Sequence, residues 1–460
     1  APFLYDTIKR GVYNMSQQGN EVIREHQQYV LQPWTKQGGP VLPVKRAEGI
    51  YFWDYDDKRY TDMSSLLVCA NLGHNNPDII EAICRQAHTM PFMAPDFASQ
   101  PKSQLAHKLV QLAGEDTYSR VFFTCGGAES NENAIKIART VTGRPKIFSA
   151  YLSYHGATLG AAHASGDWRR FASETGGGAG GFVHFFNPYP YRDGYTYGVD
   201  EEKDTAQALA QLERQLQFEG TDRVAAILME SIVGANGVII PPKGYMEGVR
   251  ALCDTYGILL ILDEVMAGFY RTGKAFTWQH FNLKPDIITF AKGVTSGYVP
   301  LGGVIVNKEI GEYFTDHVLP CGLTYSGHTL GCAAGVAALE YYEYHHIAEH
   351  VQQVGAVLKQ ELQHLVEKHA IVGEARAIGL FSSIELVKDK AKRKPLVTYG
   401  ESNTILPAIK QELRKRGFST FGRENNINIC PPLIITEDEL KENLAILDDV
   451  LTWADQTFLS

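Results

Sequence analysis

The sequence predicts an α/β protein with a mostly parallel central sheet covered by helices, together with a smaller α+β domain built from both chain ends. Three features of the sequence lead to this prediction. Short apolar runs alternate with helical patterns in the middle of the chain, the runs are apolar throughout, and both ends have a different pattern. Continuous apolar runs are typical of strands buried on both faces, and their alternation with amphipathic helices is typical of a parallel sheet.

The composition is that of a globular protein with two or three domains. The 460 residues include 44% hydrophobic and 21% charged residues, and the formal net charge is -9. An acidic chain of this kind lacks the basic stripe of nucleic-acid-binding proteins, and its longest aliphatic runs, such as "ILLIL", are too short to span a bilayer. We therefore expect neither nucleic acid nor a membrane as a partner.

Two features predict a cytoplasmic location. No apolar segment follows the charged residues of "APFLYDTIKR", so we expect no signal peptide. The seven cysteines are dispersed and include no C-x-x-C pair, a distribution typical of reduced thiols.

The N-terminal part is predicted to contribute to the small domain. Residues 45–62 alternate between apolar and polar side chains, which predicts a two-stranded ribbon that turns at Asp56–Asp57. We divide the chain into residues 1–65 of the small domain, residues 66–330 of a large α/β domain, and residues 331–460, which return to the small domain.

The central part alternates predicted strands with predicted helices. The segments "AESNENAIKIARTV" and "KGYMEGVRALCDTYG" have helical apolar periodicity, and Gly257 is the expected C-cap of the second helix. Apolar runs predict the buried strands. These strands are residues 120–126, 146–151, 224–231, 258–265 and 286–293.

The C-terminal part is predicted to be mostly helical from residue 331. Strands are expected near residues 379–386 and 427–435. The last helix is expected to begin with a capping box formed by Thr436 and Glu439. Its leucines recur on one helical stripe, which predicts a buried face.

Three polar residues stand at the ends of predicted parallel strands. Glu230, Asp263 and Lys292 each follow an apolar run. Ligands of open parallel sheets bind beyond the carboxyl ends of the strands, so the three side chains are expected to face one crevice. Any one of the acids alone would be better explained as a helix cap or a loop contact, but the lysine among them favours a site.

A lysine at such a position predicts covalent chemistry. A lysine in a low-dielectric site loses its proton more easily, and the neutral amine is a nucleophile toward carbonyl groups. Pyridoxal phosphate (PLP) uses such an amine, a carboxylate at its ring nitrogen, a cradle for its phosphate and walls for its ring. Asp263 is the expected carboxylate.

Two further segments offer the phosphate cradle and a wall for the ring. Gly126, Gly127 and Ala128 lie between a strand and a helix, where backbone N–H groups converge on anions. Tyr154 or its neighbour His155 is expected to cover one face of the ring, and Val265 the other. Taken alone, this glycine pair would be read as a tight turn.

At this point the residues show a resemblance to a known family. The stretches "LLILDEVMAGFYRTG" and "PDIITFAKGVTSGYVPLGG" closely resemble the signature of the class III, PLP-dependent aminotransferases of fold type I. The resemblance continues in "GIYFWDYDDKRYTDM", "CGGAESNENAIKIAR", "SYHG", "TYSGHTLGCAA" and "NICPPLIITEDEL", so it covers nearly the whole chain.

The resemblance implies roles for individual residues. Lys292 would form the Schiff base with PLP, Asp263 would contact the pyridine nitrogen, and Thr324 would reach the phosphate bound to a partner subunit. The protein is therefore expected to be a homodimer with shared active sites, and the dimers to pair into tetramers in one alternative. The expected cofactor-binding residues are Gly126, Gly127, Ala128, Tyr154, His155, Glu230, Asp263, Val265, Lys292 and Thr324.

Within this family the sequence is most similar to the ω-transaminases. These enzymes transfer an amino group from taurine, β-alanine or a primary amine to a keto acid, with pyruvate as the expected acceptor. The expected substrate-binding residues are Trp34, Leu67, Val68, Tyr154 and Arg423. Arg423 would bind an acceptor carboxylate, although its spacing to "PP" differs from that of well-known amine transaminases, and Ala128 replaces a serine or threonine of many members.

Other interpretations remain open. The alternatives within PLP chemistry are 2-oxoglutarate as the acceptor, or an aminomutase or decarboxylase. Residues 176–181, "GGGAGG", match a dinucleotide-binding pattern, but a loop is the better interpretation. Residues 346–350, "HIAEH", match a zinc-peptidase pattern, but a solvated helix face is favoured and no metal is expected.

Overall fold

A seven-stranded sheet forms the centre of the protein in the computed structural model, which describes residues 15–174, 178–192 and 194–459. Its strands are β4 (Tyr118–Thr124), β5 (Lys146–Ala150), β6 (Phe182–Phe185), β7 (Val224–Glu230), β8 (Leu259–Asp263), β9 (Ile287–Phe290) and β10 (Gly302–Asn307). Their order is β4-β10-β9-β8-β7-β5-β6. Only β10 runs antiparallel to its neighbours, which confirms the prediction of a mostly parallel sheet.

Helices cover this sheet, as the amphipathic patterns predict. Together with those that pack on the two smaller sheets, and apart from the segment Ser65–Val68 and the 3-10 turns, the helices of the described residues are α1 (Gln17–Tyr29), α2 (Pro77–Thr89), α3 (Gln100–Ala113), α4 (Gly127–Thr142), α5 (Leu159–Ala164), α6 (Phe171–Glu174), α7 (Glu201–Glu219), α8 (Tyr245–Tyr256), α9 (Lys308–Asp316), α10 (Thr329–Tyr344), α11 (Ile347–Lys368), α12 (Ile405–Lys415) and α13 (Glu437–Phe458). Gly257 ends α8 with φ +60°, as expected of a C-cap. None of these helices is both long and apolar enough to cross a membrane.

Two smaller sheets contain the remaining strands. The first has the order β1-β2-β3-β14, and the second has the order β11-β12-β16-β15, with β13 paired to β12. Their strands are β1 (Val44–Glu48), β2 (Tyr51–Asp54), β3 (Arg59–Asp62), β11 (Val372–Ile378), β12 (Phe381–Asp389), β13 (Lys394–Pro395), β14 (Phe418–Ser419), β15 (Gly422–Arg423) and β16 (Asn426–Ile429). Because β3 pairs with β14, the first sheet joins both chain ends. This pairing supports the small domain, whose boundaries stay a prediction.

The N-terminal ribbon differs from the prediction. It has three strands, because the chain turns at Gly49 between β1 and β2 as well as between β2 and β3. The second turn lies where the sequence predicts it, and Asp57 adopts a left-handed conformation with φ +57° there. Strands β6 and β10 of the central sheet are absent from the prediction, because the sequence does not clearly mark where these two short strands begin and end.

The final helix begins with the predicted capping box. The Thr436 hydroxyl accepts a hydrogen bond from Glu439 N at 3.2 Å, and Glu439 Oε2 accepts one from Thr436 N at 2.9 Å. The leucine stripe of this helix is buried. Its members are Leu440, Leu444, Leu447 and Leu451.

We expect Thr436→Ala to destabilise the C-terminal part by about 1 kcal/mol, because the first turn of α13 loses its capping acceptor. Denaturant unfolding followed by circular dichroism measures the change. Thr452→Ala, an exposed position of the same helix, is the matched control and should leave the midpoint nearly unchanged. Equal midpoints for Thr436→Ala and the wild-type protein would contradict this role of the cap.

Candidate active site

The strand register brings the three predicted polar residues together. Glu230 at the end of β7 pairs with Asp263 at the end of β8, and Asp263 pairs with Thr289 in β9. Lys292 lies two residues after the end of β9, at the start of a 3-10 turn. The side chains of Glu230, Asp263 and Lys292 all line one cavity of about 480 Å³. The structure therefore brings the amine and both carboxylates to the carboxyl edge of the parallel strands.

Asp263 is buried and held by three donors. Its Oδ1 accepts a hydrogen bond from Val265 N at 2.9 Å, and its Oδ2 accepts one from Asn131 Nδ2 at 2.7 Å and lies 2.8 Å from His155 Nδ1. Asn131 is itself oriented by the Thr289 hydroxyl, which donates to Asn131 Oδ1 at 2.7 Å. These contacts fix the plane of the carboxylate and leave no freedom for it to rotate away from the cavity.

His155 is buried beside this carboxylate. Its Nε2 has no hydrogen-bond partner within the described residues, and the residue lines the cavity. Asn131 is absent from the predicted site, yet it also lines the cavity. It lies four residues after Gly127 on α4, so its position on the face of the predicted cradle is the feature of the sequence that points to it.

Lys292 has an unusual backbone conformation. Its φ is +48°, in the left-handed region that non-glycine residues seldom occupy. Its side chain is half-buried, and no hydrogen bond or ion pair of its Nζ is found within the described residues. The amine is thus presented to the cavity without a bound carboxylate.

The glycine segment forms an open helix N-terminus. Helix α4 begins at Gly127, and no side chain caps it from the N-cap position at Gly126. A Cβ atom at Gly127 would lie 2.7 Å from Val265 Cγ1, so only glycine lets the backbone approach Val265 this closely. The first N–H groups of a helix lack intrahelical partners, which makes this end of the cavity suited to an anion.

Aromatic side chains and an arginine form one wall of the cavity. The guanidinium carbon of Arg169 lies 3.4 Å from the ring centroid of Tyr154, and Trp34 contacts Tyr154 edge-on at 6.4 Å. Arg169 is buried and pairs with Asp167, whose Oδ2 lies 3.0 Å from Arg169 Nε. Arg169 is not among the predicted residues, because no motif surrounds it.

A second guanidinium belongs to the same cavity. Arg423 in β15 lines the cavity, and no carboxylate forms an ion pair with it within the described residues. Burial lowers the pKa of Arg423, and the neighbouring charge of Arg169 lowers it further, whereas Asp167 acts in the opposite direction. One wall thus holds two cations and a single closely paired acid, which favours binding of an anionic group.

Glu230 is a buried carboxyl group with backbone donors. Its Oε1 accepts a hydrogen bond from Tyr154 N at 3.1 Å, and its Oε2 accepts one from Gly234 N at 2.8 Å. Burial raises the pKa of Glu230 to about 7, and the nearby Asp263 contributes to the increase against the opposing effect of His155. Burial therefore favours the protonated form of this carboxyl group.

Most of the predicted residues line the cavity, and two do not. Val68 is buried in an apolar cluster with Ile232, Val238 and Phe381, because left-handed conformations from Ser65 onward turn its side chain away from the cavity. Thr324 is exposed and lies outside the cavity lining of this chain. The predicted residues that line it are Trp34, Leu67, Gly126, Gly127, Ala128, Tyr154, His155, Glu230, Asp263, Val265, Lys292 and Arg423.

The two competing motifs have other surroundings. The first two glycines of "GGGAGG" lie outside the described residues, and the segment that follows is strand β6 rather than the helix that a dinucleotide-binding loop requires. His350 of "HIAEH" has a backbone partner, since its Nε2 lies 2.9 Å from the carbonyl oxygen of Ile435.

Comparisons with known proteins identify the family of the chain. A sequence model of the family Aminotransferase class-III matches residues 34–451. The chain is 34% identical to a taurine–pyruvate aminotransferase of Bilophila wadsworthia over 439 residues, which cover 91% of this chain and 94% of that protein.

Solved structures are similar over almost the whole length. A taurine:2-oxoglutarate aminotransferase from Bifidobacterium kashiwanohense, determined in complex with PLP and glutamate, is 66% identical, with a TM-score of 0.95 over 96% of this chain and 99% of that one. An (S)-enantioselective omega-transaminase from Thermomicrobium roseum is 37% identical, with a TM-score of 0.87 over 96% and 99% of the two chains. The chain belongs to the class III aminotransferase family.

Proposed function

We propose that the protein is a PLP-dependent aminotransferase that moves the amino group of an ω-amino acid, such as taurine or β-alanine, or of a primary amine to a keto acid. The observation that supports this proposal most is the position of Lys292 and Asp263. They stand at the ends of adjacent strands and line one cavity, and a three-donor network holds the carboxylate.

The residues present fit PLP. The cavity offers an unpaired lysine amine, an immobile carboxylate, an uncapped helix N-terminus for a phosphate and the unpartnered Nε2 of His155. When bound, PLP supplies an aldehyde for a lysine amine and a protonated ring that withdraws electrons from the bond to be broken. In our proposal the N–H groups of Gly126, Gly127 and Ala128 hold the phosphate.

Two side chains of the protein act on protons. Asp263 holds a proton on the ring nitrogen, because its negative charge stabilises the protonated form and Val265, Asn131 and His155 prevent it from turning away. Lys292, as a free amine, takes the proton from the substrate carbon as a general base. Tyr154 and Val265, which both line the cavity, would confine the ring.

The arginine wall supports a choice of substrates. The acidic end of an ω-amino acid can bind between Arg169 and Arg423, since guanidinium groups form paired hydrogen bonds with carboxylates and sulfonates. Two cations also suit a keto acid with two carboxylates. We therefore propose 2-oxoglutarate as the acceptor in preference to pyruvate, and the 66% identical Bifidobacterium enzyme named for this acceptor adds support.

Pyruvate remains the second candidate, and the Bilophila relative named for it supports that choice. The two acceptors differ in one carboxylate, so the unpaired Arg423 is the group expected to distinguish them. An aminomutase or decarboxylase would use the same cofactor residues. Such an enzyme would form product without any keto acid.

A homodimer with shared sites is part of the proposal. Thr324 lies at the surface beside exposed aromatic residues, and the Phe92 and Tyr325 rings are in edge contact at 5.7 Å. Burial of this aromatic pair against a second copy would bring Thr324 of the partner subunit to the phosphate.

All seven cysteines are free thiols, which supports a cytoplasmic location.

We expect Lys292→Ala to abolish amino transfer, with a decrease in turnover of about 1,000-fold or more, because both the covalent attachment and the general base are lost. Turnover with taurine and 2-oxoglutarate, together with the visible absorbance of the purified protein, measures the effect. Lys359→Ala at an exposed position is the control. A colourless wild-type protein, or a Lys292→Ala variant of normal turnover, would refute the proposed function.

We expect Arg423→Met to raise the KM for 2-oxoglutarate by about 10- to 100-fold, since a charged hydrogen-bond partner of one carboxylate is lost. Steady-state kinetics with 2-oxoglutarate and pyruvate in parallel measure the change. Arg423→Lys, which keeps the charge without the paired donors, should give an intermediate value. If both acceptors respond equally, Arg423 does not distinguish them.

We expect Glu230 to make the protein less stable as the pH rises from about 4.5 to 7. Its pKa is raised by burial, so the native state keeps a proton that the unfolded chain has lost in this interval, and the free energy of unfolding decreases with pH. Thermal unfolding from pH 4.5 to 8 should show a smaller decrease for Glu230→Gln than for the wild-type protein. Glu202→Gln, at an exposed position, should retain the wild-type profile.

A further inference from the structure

Three segments next to the cavity have left-handed backbone conformations. Ser65, Leu66, Leu67 and Val68 all have positive φ values, between +44° and +65°. The second segment is Phe269–Tyr270, with φ values of +55° and +66°, and the third is Lys292 itself. Such conformations are unfavourable for non-glycine residues and persist only where surrounding contacts hold them.

One buried side chain connects two of these segments with a distant part of the chain. Arg271 is fully buried and has no carboxylate among its hydrogen-bond partners. Its Nη2 donates to the hydroxyl of Ser65 at 3.0 Å and to Asn71 Oδ1 at 2.7 Å, and its Nη1 donates to Pro431 O at 2.6 Å. Burial lowers the pKa of Arg271 to about 10, which leaves the group charged at neutral pH.

Asn71 extends this cluster toward the lysine. Its Nδ2 donates to Phe269 O at 3.1 Å. A Cβ atom at Gly293 would lie 2.6 Å from Asn71 Nδ2, so the residue after Lys292 packs directly against this amide. The neighbouring Leu72 N donates to the Ser296 hydroxyl at 2.9 Å, which joins the two loops a second time.

Tyr342 of α10 holds the lysine turn from the other side. Its hydroxyl is buried and donates to Gly293 O at 2.8 Å. The peptide between Gly293 and Val294, one residue after the strained φ angle of Lys292, is therefore held in place, while Gly293 cannot move toward Asn71.

We propose that Arg271, Asn71 and Tyr342 are positioning residues that hold the backbone turn of Lys292, so that its amine faces the cavity. None of the three lines the cavity, whereas Leu67 and Lys292 do. The cluster acts by keeping the strained turns in register with each other. Without it, Lys292 relaxes toward an ordinary conformation and its amine leaves the productive position. The inference rests on the proposed function, because it assigns the purpose of the lysine.

The experiment compares two variants that each lose one buried tyrosine hydroxyl. In Tyr342→Phe the bond to Gly293 O is lost, and in Tyr118→Phe an equivalent bond to Pro285 O at 2.9 Å is lost. Tyr118 is also buried but lies at the far end of β4, about 20 Å from Thr124 at the cavity end of the strand. The two variants should therefore have similar thermal stability.

The readouts on the cofactor-loaded full-length enzyme separate a positioning role from a structural one. We expect Tyr342→Phe to shift the pH midpoint of the lysine-bound cofactor absorbance by about half a pH unit or more. Borohydride reduces the C=N bond that PLP and Lys292 form with loss of water, and the fraction of PLP fixed in this way should also fall. The kcat should fall about tenfold at unchanged KM. Tyr118→Phe should match the wild-type protein in all three.

The outcomes are distinguishable. A Tyr342→Phe variant that matches Tyr118→Phe in midpoint, borohydride trapping and kcat would overturn the positioning role and leave the proposed function intact. A wild-type protein without lysine-bound cofactor would overturn both. If Tyr342→Phe cannot be purified, Asn71→Ser against Asn443→Ser, a buried asparagine of α13, decides the question by the same readouts.

Discussion

The hydrogen-bond register of three parallel strands determines where the chemistry of this protein takes place. Because β7, β8 and β9 are in register, Glu230, Asp263 and Thr289 lie side by side at one edge of the sheet. A shift of one residue in β8 would turn Asp263 toward the opposite face and bury an apolar side chain at the cavity. Such a shift would be costly because it would separate the buried Asp263 carboxylate from Asn131 and His155.

The charged groups around the cavity differ in the partners that stabilise them. Asp263 and Glu230 accept hydrogen bonds from neutral donors, which stabilises the carboxylates without placing a permanent cation next to them. Arg169 has a carboxylate partner in Asp167, whereas Arg423 has none within the described residues. The partial removal of Arg423 from water is unfavourable without an ion-pair partner, so a bound anionic substrate relieves an existing cost. Recognition and stability therefore oppose each other at Arg423.

Local patterns explain which parts of the fold could be predicted. Five of the seven central strands, the glycine turn and the final helix cap follow from periodicity and capping chemistry within a few residues, and they lie where the sequence indicates. The direction in which the Val68 side chain points could not be predicted. It follows from four successive left-handed residues that begin at Ser65, and Ser65 is bound by Arg271, more than 200 positions away. Asn131 and Arg169 likewise acquire their roles only when distant segments meet. The role of Thr324 depends on a second chain, which a single sequence pattern does not describe.

The pairing of β3 with β14 has a consequence for biosynthesis. The first of these strands ends at Asp62 and the second begins at Phe418, so most of the polypeptide must leave the ribosome before they can meet. Until then, one edge of the N-terminal hairpin has open backbone groups of the kind that recruit other strands. The nascent chain therefore carries this open edge throughout synthesis of the intervening residues, and shielding of the edge by a chaperone would matter during that whole period.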